Sequence, residues 1–190
     1  EELKLLKSTV RNLLFQRTIN EENEVISIKD ILEYEQPTKY LVSDTNYLSD
    51  KTLIPVLTAN KAFILGYTNE HFGIYDQNEC IIFDDFTMDL KYVDFSFKVK
   101  SSAIKILKPK PNVNLRFVFE YFSFLNLQSG EHKRHYISEI EPMKIAMPDS
   151  FTQNTIAKAL LKFDEKSDIE RSLFDLYSQQ KQYLLKNLFI

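Results

Sequence analysis

The sequence predicts an α+β protein, in which a globular mixed-sheet domain is flanked by long α-helices of coiled-coil type. The distribution of proline and glycine is the first observation behind this prediction, because all nine of these residues lie between Pro37 and Pro148. Such residues mark turns, so the middle of the chain is expected to be a compact domain and both ends helical. Short strand-like and helical runs mix there without regular βαβ alternation, which favours α+β over a doubly wound sheet.

The N-terminal segment is predicted to be a helix over about residues 2–16. Leu3, Leu6, Val10 and Leu13 follow a 3–4–3 spacing, which puts them on one narrow stripe. A narrow apolar stripe is typical of a helix that pairs with another helix. These four side chains are therefore the predicted helix-pairing residues of this segment.

The C-terminal segment is predicted to be a helix over about residues 151–189. A helix of about 40 residues would be roughly 60 Å long, more than the diameter of a small domain. Its predicted pairing positions alternate spacings of four and three and are Ile169, Leu173, Leu176, Gln180, Tyr183 and Asn187. The two polar positions are of the kind that fixes register in coiled coils. A terminal helix that packs only on its own domain stays an open alternative.

The middle of the chain is predicted to contain five strands and two helices. β-branched or aromatic runs bounded by polar residues predict strands at 55–58, 62–67, 80–84, 92–99 and 103–107. The last long apolar periodicity predicts a helix over 112–127, and a shorter one is predicted over 27–35, ended by Pro37.

The composition excludes several classes of protein. Apolar residues make up 44% of the 190 and charged residues 27%, which is the globular average and argues against general disorder. No run approaches 18 consecutive apolar residues, so no membrane span is predicted. Cys80 is the only cysteine, which rules out an internal disulfide framework or a cysteine-cluster zinc site and favours a reducing cytoplasm.

The net charge of −3 argues mildly against nucleic acid as a partner, but the charge is unevenly distributed. Residues 21–50 hold eight acids and two bases, whereas residues 95–119 hold six bases and no acid. A local basic surface is therefore compatible with the acidic total. The basic stretch at 98–105 and the compact cluster at 132–136 are suited to neutralising phosphates, and solvated charged faces are the alternative.

The residues that carry catalysis or bind metal in other proteins give weak signals here. His132 and His135 lie three apart and His71 is remote, so they are interpreted as surface residues rather than zinc ligands. Cys80 begins an apolar run and is expected to be a buried small hydrophobe. Three glycines in the whole chain disfavour a glycine-rich phosphate loop.

One acidic segment leaves a nuclease open as an alternative. Asp84, Asp85, Asp89 and Lys91 supply the carboxylates and lysine that a Mg²⁺-dependent nuclease needs. The spacing of these carboxylates is too short for two adjacent strands to present a shared site. A polar loop that closes a strand is therefore the preferred interpretation.

Six runs follow one another in the middle of the chain, namely YEQPTKY at 34–40, LTANKAFILGYTN at 57–69, IIFDDFT at 81–87, FKVKSSA at 97–103, KRHYIS at 133–138 and MKIAMP at 143–148. In this order they resemble the target recognition domain of type I restriction-modification specificity subunits. The two helical ends resemble the spacer helices of that family. The chain departs from the family pattern at 146–153, where a Pro-Leu-Pro-Pro-like run is usual, and at Tyr136, where tryptophan is common.

The resemblance implies a division into the end of a spacer helix at 1–18, a target recognition domain at 19–149 and a long spacer helix at 150–190. It implies a non-catalytic chain without a cofactor of its own, which reads one half of a bipartite site in double-stranded DNA. In such complexes, DNA methyltransferase subunits bring S-adenosylmethionine, and a motor-nuclease subunit joins them. The chain resembles half a subunit, expected to be the C-terminal half, and a homodimer through the helices is left open.

The predicted DNA contacts come from three stretches, at 58–61, 98–105 and 132–136. They are Thr58, Asn60, Lys61, Lys98, Lys100, Ser101, Lys105, Lys133, Arg134, His135 and Tyr136. Of these, Asn60 and Ser101 are expected to read bases. The residues expected to contact chiefly phosphates, or guanine if one reaches the groove, are Lys98, Lys100, Lys133 and Arg134. A protein-interaction scaffold without DNA affinity is the other open reading, and it predicts association through the helices alone.

Overall fold

Three sheets and four helices make up the computed structural model, which describes residues 1–58, 62–127 and 134–188. The α-helices are α1 (Glu2–Asn20), α2 (Ile28–Ile31), α3 (Leu115–Leu125) and α4 (Ser150–Leu188). The strands are β1 (Glu24–Ser27), β2 (Leu32–Glu35), β3 (Ile54–Leu57), β4 (Ile64–Thr68), β5 (Cys80–Asp84), β6 (Leu90–Val93), β7 (Lys98–Val99), β8 (Ile104–Pro109) and β9 (Lys144–Met147). A 3₁₀ turn spans Pro37–Tyr40 and a π-helical turn spans Tyr136–Ile140. The predicted α+β class with long terminal helices is confirmed.

The largest sheet is antiparallel and has the strand order β2-β8-β5-β6. A second sheet has the order β4-β3-β7, in which β3 and β4 are antiparallel and β3 and β7 are parallel. The third sheet pairs β1 with β9 and so joins the segment after α1 to the segment before α4. The chain therefore enters and leaves the middle domain through adjacent strands.

The central strand β5 is buried on both faces and separates two hydrophobic cores. Ile81 and Phe83 belong to the core that contains side chains of α1, α3 and α4, and Cys80 and Ile82 belong to the core shared with the β4-β3-β7 sheet. This alternation follows from the period of two along a strand. A fully buried side chain of this size contributes roughly 1.5–3 kcal/mol, so β5 anchors both halves of the domain.

Two sequence predictions for the middle of the chain are wrong. The predicted strand at 92–99 is two strands, because the chain leaves the large sheet after Val93 and joins the smaller sheet at Lys98. The predicted helix at 27–35 is helical only over Ile28–Ile31, and its second half is β2. Lys108 of β8 lies 3.1 Å from carboxylate oxygens of both Glu33 and Glu35, so cross-strand pairing overrides the local helical pattern.

Helix α3 is shorter than predicted, because asparagines end it on both sides. The Asn114 side chain accepts a hydrogen bond from Phe117 N at 2.9 Å, which is an N-cap. Asn126 follows the last turn in the left-handed conformation, with φ of 49°, which is a common helix C-terminus.

Helices α1 and α4 lie antiparallel to each other. Lys7 contacts Asp164, whereas Leu14 and Thr18 line a small cavity with Thr152 and Ile156 nearer the start of α4. Beyond Asp168 the side chains of α4 are almost all exposed, and the remaining 20 residues extend about 30 Å. Within the described residues, no helix combines the length and apolar character needed to cross a membrane.

Candidate nucleic-acid interface

The described residues of the three stretches predicted to contact DNA lie at one edge of the domain. The Lys100 amide donates to the Leu57 carbonyl at 3.0 Å, which joins the second stretch to the residue before Thr58, the described part of the first stretch. The Asp85 amide donates to the Ala103 carbonyl at 3.2 Å, and the His135 amide donates to the Asp85 carbonyl at 3.0 Å. The turn after β5 therefore lies between the second and third stretches. We call Thr58, Phe86, Thr87, 100–103 and Arg134 the recognition edge.

The turn between β5 and β6 is fixed by the side chain of Asp84. One of its carboxylate oxygens accepts hydrogen bonds from the Phe86 and Thr87 amides at 2.8 and 3.0 Å. Met88 closes the turn with φ of 59° and donates its amide to the Asp84 carbonyl at 3.0 Å. Asp84 and Met88 are buried, so the turn presents Phe86 and Thr87 outward on a rigid base.

A buried carboxylate, Asp85, holds the third stretch to this turn. Its Oδ1 accepts hydrogen bonds from the His135 and Tyr136 amides at 3.1 and 2.9 Å. Its Oδ2 lies 3.6 Å from the Lys105 ammonium, which also lies 4.7 Å from the centroid of the Tyr34 ring. Lys105, His135 and Tyr136 are all buried, so in this geometry they support the edge from beneath.

Lys98 is fully buried and joins loops of the smaller sheet. Its ammonium lies 2.7 Å from Glu70 Oε2 and donates to the Phe72 carbonyl at 2.7 Å. Glu70 also accepts the Ser43 and Asp44 amides at 2.8 and 3.1 Å. Burial works to raise the pKa of Glu70, but Lys98 and the two backbone donors outweigh it and hold the pKa below its ordinary value. This geometry keeps the ammonium away from a phosphate at the surface.

The charged groups that the recognition edge offers to solvent are Lys100 and Arg134, which are both exposed. Ser101 is half-buried, and its hydroxyl accepts the Ala103 amide at 3.2 Å. Thr58 is buried and its amide donates to the Phe63 carbonyl at 2.8 Å. The predicted contacts Asn60, Lys61 and Lys133, together with His132, lie outside the described residues and stay predictions.

The carboxylates of the alternative nuclease site hold the turn together. Asp84 and Asp85 accept the backbone donors given above, and Asp89 accepts a hydrogen bond from the Thr87 hydroxyl at 3.1 Å. In the described parts of the chain, no group of three or more metal-ligating side chains is gathered in one place. Cys80 is buried, and burial raises the pKa of its thiol to about 12. The three aspartates therefore stabilise the turn and its neighbours, and Cys80 is part of a hydrophobic core.

Sequence reasoning missed two features of the edge. Asp85 joins residues about 50 positions apart, and no local pattern reports a contact of that range. Phe86 is 36% exposed, beside buried residues on both sides of the turn, and the Arg134 guanidinium lies 5.9 Å from its ring centroid. The run of two aspartates after an apolar strand does signal a turn, but it does not say which side chain points outward.

A buried ion network joins α1, α3 and α4. Glu120 of α3 is fully buried and accepts from Lys7 at 2.8 Å, Arg11 at 2.8 Å and Arg116 at 3.1 Å. Asp164 of α4 accepts from Lys7 at 2.7 and 2.8 Å and also pairs with Arg116. The network fixes how both long helices sit on the recognition domain.

The predicted helix-pairing residues divide into two groups. Leu3 and Val10 are half-buried toward the rest of the chain, whereas Leu6 and Leu13 are exposed. The inward stripe of α1 includes Lys7, because its ammonium pairs with the buried Glu120 and the half-buried Asp164. All six positions on α4 are exposed in the single chain, namely Ile169, Leu173, Leu176, Gln180, Tyr183 and Asn187. Pairing of these exposed positions with a partner helix stays a prediction.

The chain is similar to known proteins of one family. Residues 20–174 match the family model described as the type I restriction modification DNA specificity domain. Over 133 residues the chain is 47% identical to the type I restriction enzyme EcoR124I/EcoR124II specificity subunit of Escherichia coli, which covers 67% of this chain and 33% of that protein. The chain thus spans about a third of the length of this relative.

Solved structures show the same fold at low identity. The type I restriction-modification system S subunit from M. genitalium superposes with a TM-score of 0.70 at 14% identity, covering 97% of this chain and 54% of that one. The HsdS subunit from Thermoanaerobacter tengcongensis gives 0.56 at 12% identity, covering 90% of this chain and 46% of that one. The family model matches most of the length of this chain, so the chain belongs to the type I restriction modification DNA specificity domain family.

Proposed function

We propose that this chain recognises a short sequence in double-stranded DNA, as one half-site reader of a type I restriction-modification complex. The observation that carries the proposal is that the described residues of three sequence-distant stretches lie along one recognition edge, where Lys100 bonds to Leu57 and Asp85 joins the second stretch to the third. Membership of the family supports it, and so does the name of the Escherichia coli relative, a specificity subunit. Loops on a rigid sheet are a common way to carry a binding surface.

The recognition edge offers two kinds of contact to DNA. Lys100 and Arg134 are exposed cations, which suit phosphate oxygens or the acceptor edge of guanine. Ser101 lies between them and the buried layer and suits a base edge or a phosphate. Lys98 and Lys105 contribute by holding the loops in place, since their ammonium groups are buried against Glu70 and Asp85.

We propose that the two long helices separate this reader from a second one. The proposed division is 1–18 and 150–190 for the spacer helices and 19–149 for the recognition domain. The exposed apolar side chains of α4 beyond Asp168 suit a partner helix, from a second copy or from the rest of a longer subunit. DNA methyltransferase subunits and a motor-nuclease subunit would then supply the chemistry in the cytoplasm.

Selection from a pool of randomised duplexes tests the proposal. The purified chain, with and without a methyltransferase subunit, is incubated with the pool, and the retained duplexes are sequenced. The expected result is a short shared motif, or two copies at fixed spacing if the helices pair two chains. Retention without a shared motif would reduce the activity to nonspecific electrostatics, and no retention at low salt would favour a protein-interaction scaffold.

A salt titration on the selected duplex assigns the phosphate contacts. Arg134→Ala should weaken binding to all sequences and reduce the slope of log K against log[salt] by about one. Lys158→Ala is the matched control, because Lys158 is an exposed cation on α4 outside the recognition edge. An unchanged slope for Arg134→Ala would refute its phosphate role.

A further inference from the structure

The recognition edge contains one exposed aromatic side chain on its turn. Phe86 follows two buried aspartates and precedes the exposed Thr87 and buried Met88, and 36% of its surface is accessible. An exposed ring on a turn that is fixed by hydrogen bonds offers a ligand an apolar contact surface that is already in position. The chain instead holds this ring outward with two hydrogen bonds to one Asp84 oxygen.

The ring lies between the two exposed cations of the edge along the chain of hydrogen bonds. On one side, the neighbouring Asp85 amide joins the turn to Ala103 and so to the loop that carries Lys100. On the other side, the Asp85 carbonyl holds His135, and the preceding Arg134 places its guanidinium 5.9 Å from the Phe86 ring. A duplex that binds the Arg134 guanidinium through a phosphate therefore has base edges within reach of the ring.

The partial burial of Phe86 decides between two modes of contact. A wedge that unstacks two base pairs must project its whole side chain between them. About two thirds of Phe86 is covered by the turn and its neighbours, so the ring can touch the edge of a base without entering the stack. The apolar group that base pairs present in the major groove is the methyl of thymine.

We propose that Phe86 is a specificity-determining residue that contacts a thymine methyl in the major groove, with Arg134 holding the ring and the adjacent backbone phosphate. The inference rests on the proposed DNA-recognition function and adds to it the identity of one base and one side chain. It also assigns Asp84 and Asp85 as positioning residues, because they fix the turn and the third stretch to each other.

The test uses the full chain, the duplex obtained by selection, and a scrambled duplex of the same length and composition. Phe86→Ala should lower affinity for the selected duplex at least about fourfold, because the apolar contact with one methyl group is lost. Affinity for the scrambled duplex and the salt slope should stay unchanged. Phe151→Ala is the matched control, since Phe151 is 80% exposed at the start of α4, outside the recognition edge.

Replacing each thymine of the selected site by deoxyuridine locates the methyl. The native chain should lose about fourfold at one position, the effect of one buried methyl group. Phe86→Ala should bind the thymine and deoxyuridine duplexes with equal affinity when the replacement is at that position. Phe86→Leu, which keeps apolar bulk, should retain part of the native sensitivity to the methyl group. Thermal unfolding of each variant checks that it is folded at the temperature of the binding assay, because about two thirds of Phe86 is covered in the native chain.

Several results would overturn the inference while leaving DNA recognition intact. They are a selected motif without A·T pairs, equal losses for Phe86→Ala on both duplexes, or the same deoxyuridine sensitivity in the variant and the native chain. Increased fluorescence of 2-aminopurine on binding would show unstacking and therefore a wedge instead. If the native chain itself does not distinguish the selected duplex from the scrambled one, the proposed function fails and the inference fails with it.

Discussion

Replacing Glu120 by alanine should destabilise the junction between the recognition domain and the long helices. Glu120 is fully buried on α3, and its carboxylate accepts from Lys7 and Arg11 of α1 and from Arg116 of its own helix. Removing the carboxylate leaves three cations close together in a site that water reaches poorly. Asp164 remains, but it contacts only Lys7 and Arg116 among these three in the described structure.

The size of the effect depends on how deeply the three cations are buried and on which carboxylate contacts they retain after the substitution. Removing one partner of a buried ion pair costs about 3–5 kcal/mol, because a charge is left without compensation. The three cations are 11% to 18% exposed and two of them keep Asp164, so the lower end applies, about 3 kcal/mol. For a chain of this length that corresponds to a fall in Tm of roughly 6–12 °C.

Urea unfolding followed by tyrosine fluorescence measures this change, since the chain has ten tyrosines and no tryptophan. Hydrogen exchange should show the amides of α1 losing protection first, because the network is the charged part of its attachment. Glu21→Ala is the control, because Glu21, the residue that follows α1, forms an exposed ion pair with Arg17. Loss of this ion pair should leave Tm unchanged. A loss below about 1 kcal/mol for Glu120→Ala would refute the argument that the carboxylate compensates buried charge.

Three further outcomes are expected. Phe15→Ala should cost about 3–5 kcal/mol in urea unfolding, because Phe15 is fully buried with three aromatic rings at 4.8–5.6 Å. Cys80 should resist a disulfide reagent at pH 8 until denaturant is added, since its thiol is buried and its pKa is raised to about 12. The pKa of Glu70 is lowered on folding, so its stabilising contribution is complete above the ordinary value of 4.5 and is lost as the pH falls through the folded value. Glu70→Gln should flatten that part of the stability profile in acid titrations, and an unchanged profile would contradict the role assigned to Lys98.

The elements that could be predicted from the sequence are those whose signals are local. The strand β5 was predicted with its observed bounds, because an apolar run between polar residues specifies a buried strand without reference to the rest of the chain. Helix α4 was predicted almost to its ends, because a segment without proline or glycine carries a seven-residue pattern. In contrast, β9 reads Lys-Ile-Ala-Met, and only its pairing with β1 makes it a strand.

In the candidate interface, too, the sequence predicts local patterns but not the contacts between residues far apart in the chain. The sequence predicts three basic or polar stretches, but the hydrogen bonds that join the second stretch to the third pass through a residue outside all three, Asp85. Lys98 and Lys105 read as surface cations because their carboxylate partners, Glu70 and Asp85, lie 28 and 20 residues away. Burial of a lysine depends on such distant partners, so composition could not separate these two from the exposed Lys100.

The pairing of lysines with distant carboxylates explains why charges that are segregated along the sequence leave few exposed cations on the described recognition edge. Lys108 pairs with Glu33 and Glu35 of the acidic stretch, and three other bases of 95–119 pair with carboxylates elsewhere in the chain. The exposed cations left on the described recognition edge are Lys100 and Arg134. Two phosphate contacts give on their own only a shallow salt dependence and modest nonspecific affinity. In the proposed function, discrimination then comes from contacts with base edges and from joining two readers, because linked sites gain affinity without new electrostatic contacts.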